Sequence, residues 1–129
     1  LLLALTPGDG GERAAGGAIG APERAGRVFY GPYCRLPPGD YQFELRCDMR
    51  ASVPGRAVTL EIVAGDRILA QDRFALKLGP NLLAIRFEVP QAGTAADLLG
   101  PLEFRLGKDE GLVFDCTSAE LRAASNGSR

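Results

Sequence analysis

Apolar and polar residues alternate at every second position through most of the chain. In the clearest run, residues 40–50, the alternating apolar side chains are Tyr41, Phe43, Leu45, Cys47 and Met49. A period of two residues is typical of a strand with one face in a core and the other in solvent. The pattern predicts further strands at residues 28–34, 57–64, 67–76, 82–89, 102–106 and 112–123.

Seven or eight such runs, separated by turns at intervals of about 8–12 residues, are typical of an antiparallel sandwich. Strict alternation, rather than continuous apolar runs, argues against a parallel sheet. We therefore expect an all-β fold of two antiparallel sheets with a jelly-roll-like arrangement. The expected core comprises Tyr41, Phe43, Leu45, Leu60, Ile62, Leu83, Ile85, Phe87, Leu102, Phe104, Leu112 and Phe114.

Local sequence features refine these strands. Polar turns at residues 64–67 and 108–111 predict two hairpins. Pro32 cannot donate to a sheet ladder, so it predicts a bend or an edge within residues 28–34. The alternation changes phase near Thr117 and Ser118, which predicts a bulge after which Ala119 and Leu121 point inward.

The chain divides into three predicted segments. Residues 1–27 are rich in Gly and Ala, and we expect a loop packed on the domain with one short strand near residues 18–19. Residues 28–123 form the expected sandwich, with one helical turn at residues 94–99, and residues 124–129 form a flexible tail. Because the chain begins at Leu1, we expect it to be a piece of a larger protein.

Composition narrows the function classes. The 129 residues include no His and no Trp, and the formal net charge is -1. Without His there is no Ser-His-Asp triad or Cys-His pair, so we do not expect an enzyme. The balanced charge disfavours nucleic-acid binding. The apolar residues 1–5 are too few for a membrane span, which needs about 20 residues.

Three cysteines, Cys34, Cys47 and Cys116, are too far apart for a Cys-x-x-Cys motif. We expect them to be small buried hydrophobes in a reducing compartment, which indicates a cytoplasmic location. A secreted or cell-surface location and a single disulfide both stay open.

No cofactor is expected. Without His, a calcium site built from oxygen ligands is the one metal site left open. The acidic loop and strand-end candidates are Asp9, Glu12, Asp66, Asp72, Asp109 and Glu110.

Oppositely charged residues recur two positions apart on outward strand faces. These pairs are Glu44 with Arg46, Arg86 with Glu88, and Glu103 with Arg105. If the strands are neighbours, the pairs form a cross-strand ladder. Such a ladder either holds a solvated sheet face with weak ion pairs or supplies the donors and acceptors of a sugar-binding face.

Aromatic residues are most dense at Phe29, Tyr30 and Tyr33. In a strand, Phe29 and Tyr30 point to opposite faces, so one of them is expected to be exposed. An exposed Tyr can stack on a sugar ring or anchor a partner, and the alternative is core packing around a bulge at Gly31 and Pro32.

Four segments carry a family resemblance: residues 28–33, 36–41, 60–64 and 102–105, with the sequences VFYGPY, LPPGDY, LEIVA and LEFR. Together they resemble the galactose-binding-like jelly rolls of carbohydrate-binding modules and small sandwich domains attached to bacterial glycosyltransferases and surface-polysaccharide proteins. The resemblance covers roughly residues 28–121.

The resemblance and the charged faces together suggest a non-catalytic carbohydrate-binding accessory module of a larger bacterial protein. The expected ligand-binding residues are Tyr30, Tyr33, Glu44, Arg46, Arg86, Glu103 and Arg105. The alternative is a structural or oligomerisation module that docks a neighbouring domain or a second copy through a sheet edge or a patch at Tyr30. A small hydrolase is a third interpretation, which requires a carboxylate pair in a pocket.

Overall fold

A computed structural model describes residues 1–90 and 100–124 of the chain. Its strands are β1 (Thr6–Pro7), β2 (Glu12–Arg13), β3 (Ile19–Ala21), β4 (Gly26–Tyr30), β5 (Pro32–Cys34), β6 (Gly39–Ala51), β7 (Val58–Ala64), β8 (Arg67–Phe74), β9 (Gly79–Val89), β10 (Leu102–Lys108) and β11 (Val113–Ala123). A 3-10 turn at Leu2–Ala4 precedes β1, and a second at Ala15–Gly17 lies between β2 and β3.

The strands form two sheets packed face to face. The first sheet has the order β1-β4-β10-β7-β8, with β5 also beside β10, and the second has the order β2-β3-β11-β6-β9. Each neighbouring pair is antiparallel. The prediction of an all-β, two-sheet antiparallel sandwich is therefore confirmed.

Aromatic rings join the two sheets at the centre of the core. Phe43 of the second sheet stacks on Phe104 of the first at a centroid distance of 4.7 Å, and Phe87 meets Phe104 edge-on at 6.0 Å. Tyr41 is only partly buried and stacks on Phe87 at 5.6 Å. All the other residues of the predicted core are buried, because alternation assigns inward positions correctly wherever a strand keeps its phase.

The predicted change of phase in the last strand is confirmed. The register between β11 and β6 shifts between Cys116 and Ser118. Beyond the shift, Ala119 is buried and Leu121 packs against the core. An extra residue at this point lets one strand keep its apolar side chains inward on both sides of the bulge.

One predicted hairpin is confirmed and the other is wrong. Gly65 and Asp66 join β7 to β8, and Ala64 lies opposite Arg67. Residues 108–111 connect β10 to β11, but these strands belong to different sheets. Lys108 is buried at this crossing and its Nζ donates to the carbonyl oxygen of Leu112 at 2.9 Å. Both connections are short and contain Gly and Asp, so sequence alone does not separate a hairpin from a crossing.

The N-terminal segment is more ordered than the expected loop. The short strand predicted near residues 18–19 corresponds to β3, but β1 and β2 were missed because two-residue strands carry no period. Leu2, Leu5 and Ile19 are buried in the core. Arg13 holds the segment together by donating to the carbonyl oxygens of Leu2 and Leu5 at 3.1 and 2.5 Å.

The division into domain and N-terminal segment at residue 27 stays a prediction. The helical turn was expected at residues 94–99, which lie outside the described residues. Residues 125–129 of the expected tail lie outside them as well.

Candidate functional site

The outer face of the first sheet carries two of the predicted site residues on its central strand, β10. Phe104 and Leu106 of this strand point into the core, so Glu103 and Arg105 point outward. Glu103 is nevertheless buried, with 6% of its surface exposed. An outward carboxylate that is buried must be covered and hydrogen-bonded by its neighbours.

Tyr33 covers Glu103 from the neighbouring strand β5. Its hydroxyl donates to Glu103 Oε2 at 2.9 Å, while 55% of the residue's surface stays exposed. The hydrogen bond to Glu103 raises the pKa of the Tyr33 phenol above its ordinary value. Tyr33 adopts a φ of 62°, a left-handed conformation that is rare for an aromatic residue. The backbone is therefore held in an unusual shape at the position where the ring is presented to solvent.

Tyr30 stands beside Tyr33 at the end of β4. The two rings meet edge to face, with centroids 6.5 Å apart and an interplanar angle of 70°. Phe29, the preceding residue, is fully buried. The prediction that Phe29 and Tyr30 face opposite sides is confirmed, and Tyr30 is the partly exposed one.

Arg105 completes the chain of contacts. Its Nη2 lies 2.8 Å from Glu103 Oε1, so both carboxylate oxygens of Glu103 are hydrogen-bonded within the protein. The hydrogen bond to Glu103 also raises the pKa of the Arg105 guanidinium. Arg105 Nε is buried and has no hydrogen-bond partner among the described residues. It is a donor left over in a site where the neighbouring groups are already paired.

These side chains line an open pocket with a volume of about 480 Å³, within the range typical of small-molecule sites. Its lining residues are Gly8, Asp9, Arg27, Tyr30, Tyr33, Glu103 and Arg105. The structure thus brings together four of the predicted ligand-binding residues and adds three, Gly8, Asp9 and Arg27, that were not predicted to bind a sugar.

Gly8, Asp9 and Arg27 enter the pocket through close backbone packing of the segment around Gly8 against β4. Asp9 Oδ1 accepts a hydrogen bond of 3.1 Å from the backbone N–H of Arg27. A Cβ on Gly8 would lie 2.2 Å from the carbonyl oxygen of Arg27, and a Cβ on Gly26 would lie 2.6 Å from Asp9 Oδ1. Both positions require glycine for this approach. In the sequence Asp9 was a candidate calcium ligand, and nothing there indicated that it packs against Arg27.

The polar face continues beyond the pocket onto β7 and β8. Glu61 lies opposite Arg105 on one side and opposite Gln71 on the other. Gln71 Nε2 donates to Glu61 Oε2 at 2.5 Å. The outer face of the first sheet therefore offers a band of hydrogen-bonding groups that crosses three strands.

The remaining predicted site residues, Glu44, Arg46 and Arg86, lie on β6 and β9 of the second sheet. The condition for a cross-strand ladder is met by the pairs on β6 and β9, which are neighbours, but not by Glu103 and Arg105, which belong to the other sheet. Outward alternation marks the solvent face of a strand, but it does not say which of two sheets the strand joins.

A separate polar network occupies the outer face of the second sheet. Arg122 pairs with Glu44, Gln42 Nε2 donates to Glu44 Oε2 at 2.5 Å, and Arg86 Nε donates to Gln42 Oε1 at 3.1 Å. The hydrogen bond from Arg122, followed by that from Gln42, lowers the pKa of the Glu44 carboxyl. Gln42 therefore connects Glu44 and Arg86, which occupy diagonal positions on the neighbouring strands β6 and β9.

The described residues contain no group of three or more His, Cys, Asp or Glu side chains that could hold a metal ion. The acidic candidates for calcium are thus not gathered into a cluster in that part of the chain.

Among the described residues, no helix has the length and apolar character to cross a membrane.

No protein-family model matches the chain, and no curated protein matches its sequence significantly. Solved structures do match in fold. A CBM4 structure aligns with a TM-score of 0.56 and 10% identity over 93% of this chain and 88% of its own. A carbohydrate-binding module of Cellvibrio mixtus lichenase 5A, solved with cellotriose, aligns with a TM-score of 0.55 and 13% identity over 97% and 100%.

A third match has a different activity. A Stig cyclase from Fischerella sp. TAU, in complex with an indole compound, aligns with a TM-score of 0.57 and 18% identity over 84% of this chain and 65% of its own. Modules named CBM22 and Family 16 also match. The similar structures are thus mostly carbohydrate-binding modules, with cyclases among them. The protein has the jelly-roll β-sandwich fold of the carbohydrate-binding modules.

Proposed function

We propose that the protein is a non-catalytic carbohydrate-binding module whose ligand lies in the pocket lined by Tyr30, Tyr33 and Arg105. The observation that carries this proposal is an open pocket in which the exposed ring of Tyr33 lies beside the partly exposed side chain of Arg105. A sugar hydroxyl can accept from the Arg105 guanidinium, and the apolar face of a sugar ring can stack on Tyr33.

The arrangement of Glu103 supports binding rather than catalysis. Its two carboxylate oxygens are occupied by Tyr33 and Arg105. A general acid or base needs an oxygen within hydrogen-bond reach of the reacting group. Glu103 therefore fixes the positions of Tyr33 and Arg105, and those two side chains contact the ligand.

Four of the seven ligand-binding residues expected from the sequence belong to the proposed site: Tyr30, Tyr33, Glu103 and Arg105. Glu44, Arg46 and Arg86 do not, because they lie on the other sheet. Attachment to a larger bacterial protein that acts on glycans, and a cytoplasmic location, stay predictions.

A glycan array followed by calorimetric titration tests the proposal. We expect the wild type to bind at least one oligosaccharide. Tyr33→Ala and Arg105→Ala should each weaken that binding about tenfold or more, equivalent to about 1.4 kcal/mol.

Arg86→Ala is the matched control, because it removes an outward arginine from the second sheet. It should leave the affinity within about twofold. Circular dichroism would establish that each variant keeps its fold. Absence of binding to any glycan would contradict the proposal, and so would loss of binding in Arg86→Ala alone. Concentration-dependent self-association without sugar binding would instead support the docking-module alternative.

A further inference from the structure

Two of the three cysteines face each other inside the core. Cys47 of β6 and Cys116 of β11 are direct partners in the register of the second sheet. Both are buried, with 2% and 0% of their surfaces exposed. Their Sγ atoms lie 3.8 Å apart, although 69 residues separate them in sequence.

This placement meets the backbone-spacing requirement of a cross-strand disulfide. Residues directly opposite each other in an antiparallel pair have Cα atoms about 4.5 or 5.5 Å apart. Disulfides bridge Cα atoms about 4.4–6.8 Å apart. Closing the bond therefore requires the two sulfur atoms to approach each other while the strands stay in register.

We propose that Cys47 and Cys116 form a disulfide that links β6 to β11 when the chain folds in the presence of a small-molecule disulfide. The thiolate of one cysteine attacks the small disulfide and releases one thiol, which leaves a mixed disulfide on the protein. The second cysteine then attacks that mixed disulfide, forms the protein S–S bond and releases the second thiol. The small disulfide takes up the two electrons, and the two protons leave with its thiols.

Cys34 does not take part in this bond. It belongs to β5 in the first sheet, where it lies opposite Leu102. Burial raises the pKa of its thiol, which lowers the fraction present as the reactive thiolate. Three cysteines allow three possible disulfides, and the strand register favours the one between Cys47 and Cys116.

The bond forms during folding rather than in the finished domain. In the native fold, the hydrogen bond with Cys47 and burial raise the pKa of Cys116 well above its ordinary value. A buried, protonated thiol is a poor nucleophile. A domain that folds reduced should therefore keep its three thiols, and one that folds under oxidising conditions should keep one.

Oxidative refolding tests the proposal. The reduced, unfolded chain is refolded in a mixture of reduced and oxidised glutathione, denatured again without reductant, and alkylated before mass spectrometry. We expect one alkylated residue, Cys34, and a peptide pair joined through Cys47 and Cys116. In Cys34→Ser the same pair should form and no thiol should be alkylated, whereas Cys116→Ser should keep two.

A stability measurement gives a second readout. A disulfide that closes a loop of this length should raise the melting temperature of the oxidised protein by on the order of 10 °C, and a reductant present during unfolding should remove the gain. Secretion of the chain into a bacterial periplasm supplies oxidation without a refolding step. Three free thiols in folded protein from both routes, or a bond that includes Cys34, would overturn the proposal.

Discussion

The hydroxyl of Tyr33 donates to Glu103 Oε2 at 2.9 Å, although the two residues are 70 positions apart in sequence. The pairing of β5 with β10 brings them together. This one contact buries a carboxylate on the outer face of a sheet, orients a tyrosine ring toward solvent and, through Glu103, fixes Arg105. The candidate site is therefore a product of strand pairing rather than of local sequence.

The pKa of the Tyr33 phenol should lie above its ordinary value, because ionisation would remove the proton that the hydroxyl donates to Glu103 and place a negative charge beside that carboxylate. In Glu103→Gln the pKa of Tyr33 should fall toward about 10. Carbon NMR of labelled tyrosine, with Tyr30 and Tyr41 assigned by substitution to Phe, would measure both values. Identical Tyr33 midpoints in the wild type and Glu103→Gln would contradict this account of the contact.

The same shift makes a prediction about stability. As the pH rises, the unfolded chain loses the Tyr33 proton before the folded chain does. The contribution of Tyr33 is therefore fully present below about pH 10 and is lost as the pH rises through the folded pKa. Urea unfolding at a series of pH values should show a steeper alkaline loss of stability in the wild type than in Tyr33→Phe. Parallel curves for the two proteins would count against the shift.

Phe104 should be among the most costly core residues to truncate. It stacks on Phe43 and meets Phe87 edge-on, so it joins both sheets. Phe104→Ala should lower the free energy of unfolding by about 3–5 kcal/mol, as measured by urea denaturation. Leu82→Ala is the control, because Leu82 is exposed on the second sheet, and it should change stability by less than about 1 kcal/mol. Equal losses in both variants would contradict the assignment of the core.

Lys108 provides a test of the crossing between the sheets. Burial lowers the pKa of its ammonium group, and its Nζ donates to the carbonyl oxygen of Leu112. Lys108→Met would fill similar space but leave that buried oxygen without its donor. The free energy of unfolding should fall by about 1–3 kcal/mol. Thermal or urea denaturation at neutral pH would measure it, and a variant as stable as the wild type would show that the hydrogen bond contributes nothing.

Much of the fold follows from alternation along single strands. Residues 40–50 reveal which side chains point inward, and the change of phase near Ser118 reveals a bulge. These are properties of a strand taken alone, so sequence is sufficient for them. The hairpin expected at residues 108–111 failed because the choice between a turn within a sheet and a crossing between sheets depends on the packing of both.

The candidate site was only partly accessible to the same reasoning. Glu103 and Arg105 were grouped with Glu44 because all three face solvent, yet sheet membership separates them. Asp9 was considered only as a calcium ligand. Its place in the pocket was not predictable, because it depends on the backbone of Arg27 and on two glycines, Gly8 and Gly26, which no periodicity records. Tyr33 was identified as an aromatic residue near a bend, but its left-handed backbone was not predictable from its neighbours.

We propose that carbohydrate binds on the outer face of the first sheet. Backbone amide NMR with the best oligosaccharide from the array locates the bound sugar, because it reports each residue of a folded domain at once. We predict that the largest shift changes occur in β4, β5 and β10 and around Asp9, with the amide of Tyr33 among them. Changes concentrated instead in β6, β9 and β11, around Glu44 and Arg86, would contradict the claim.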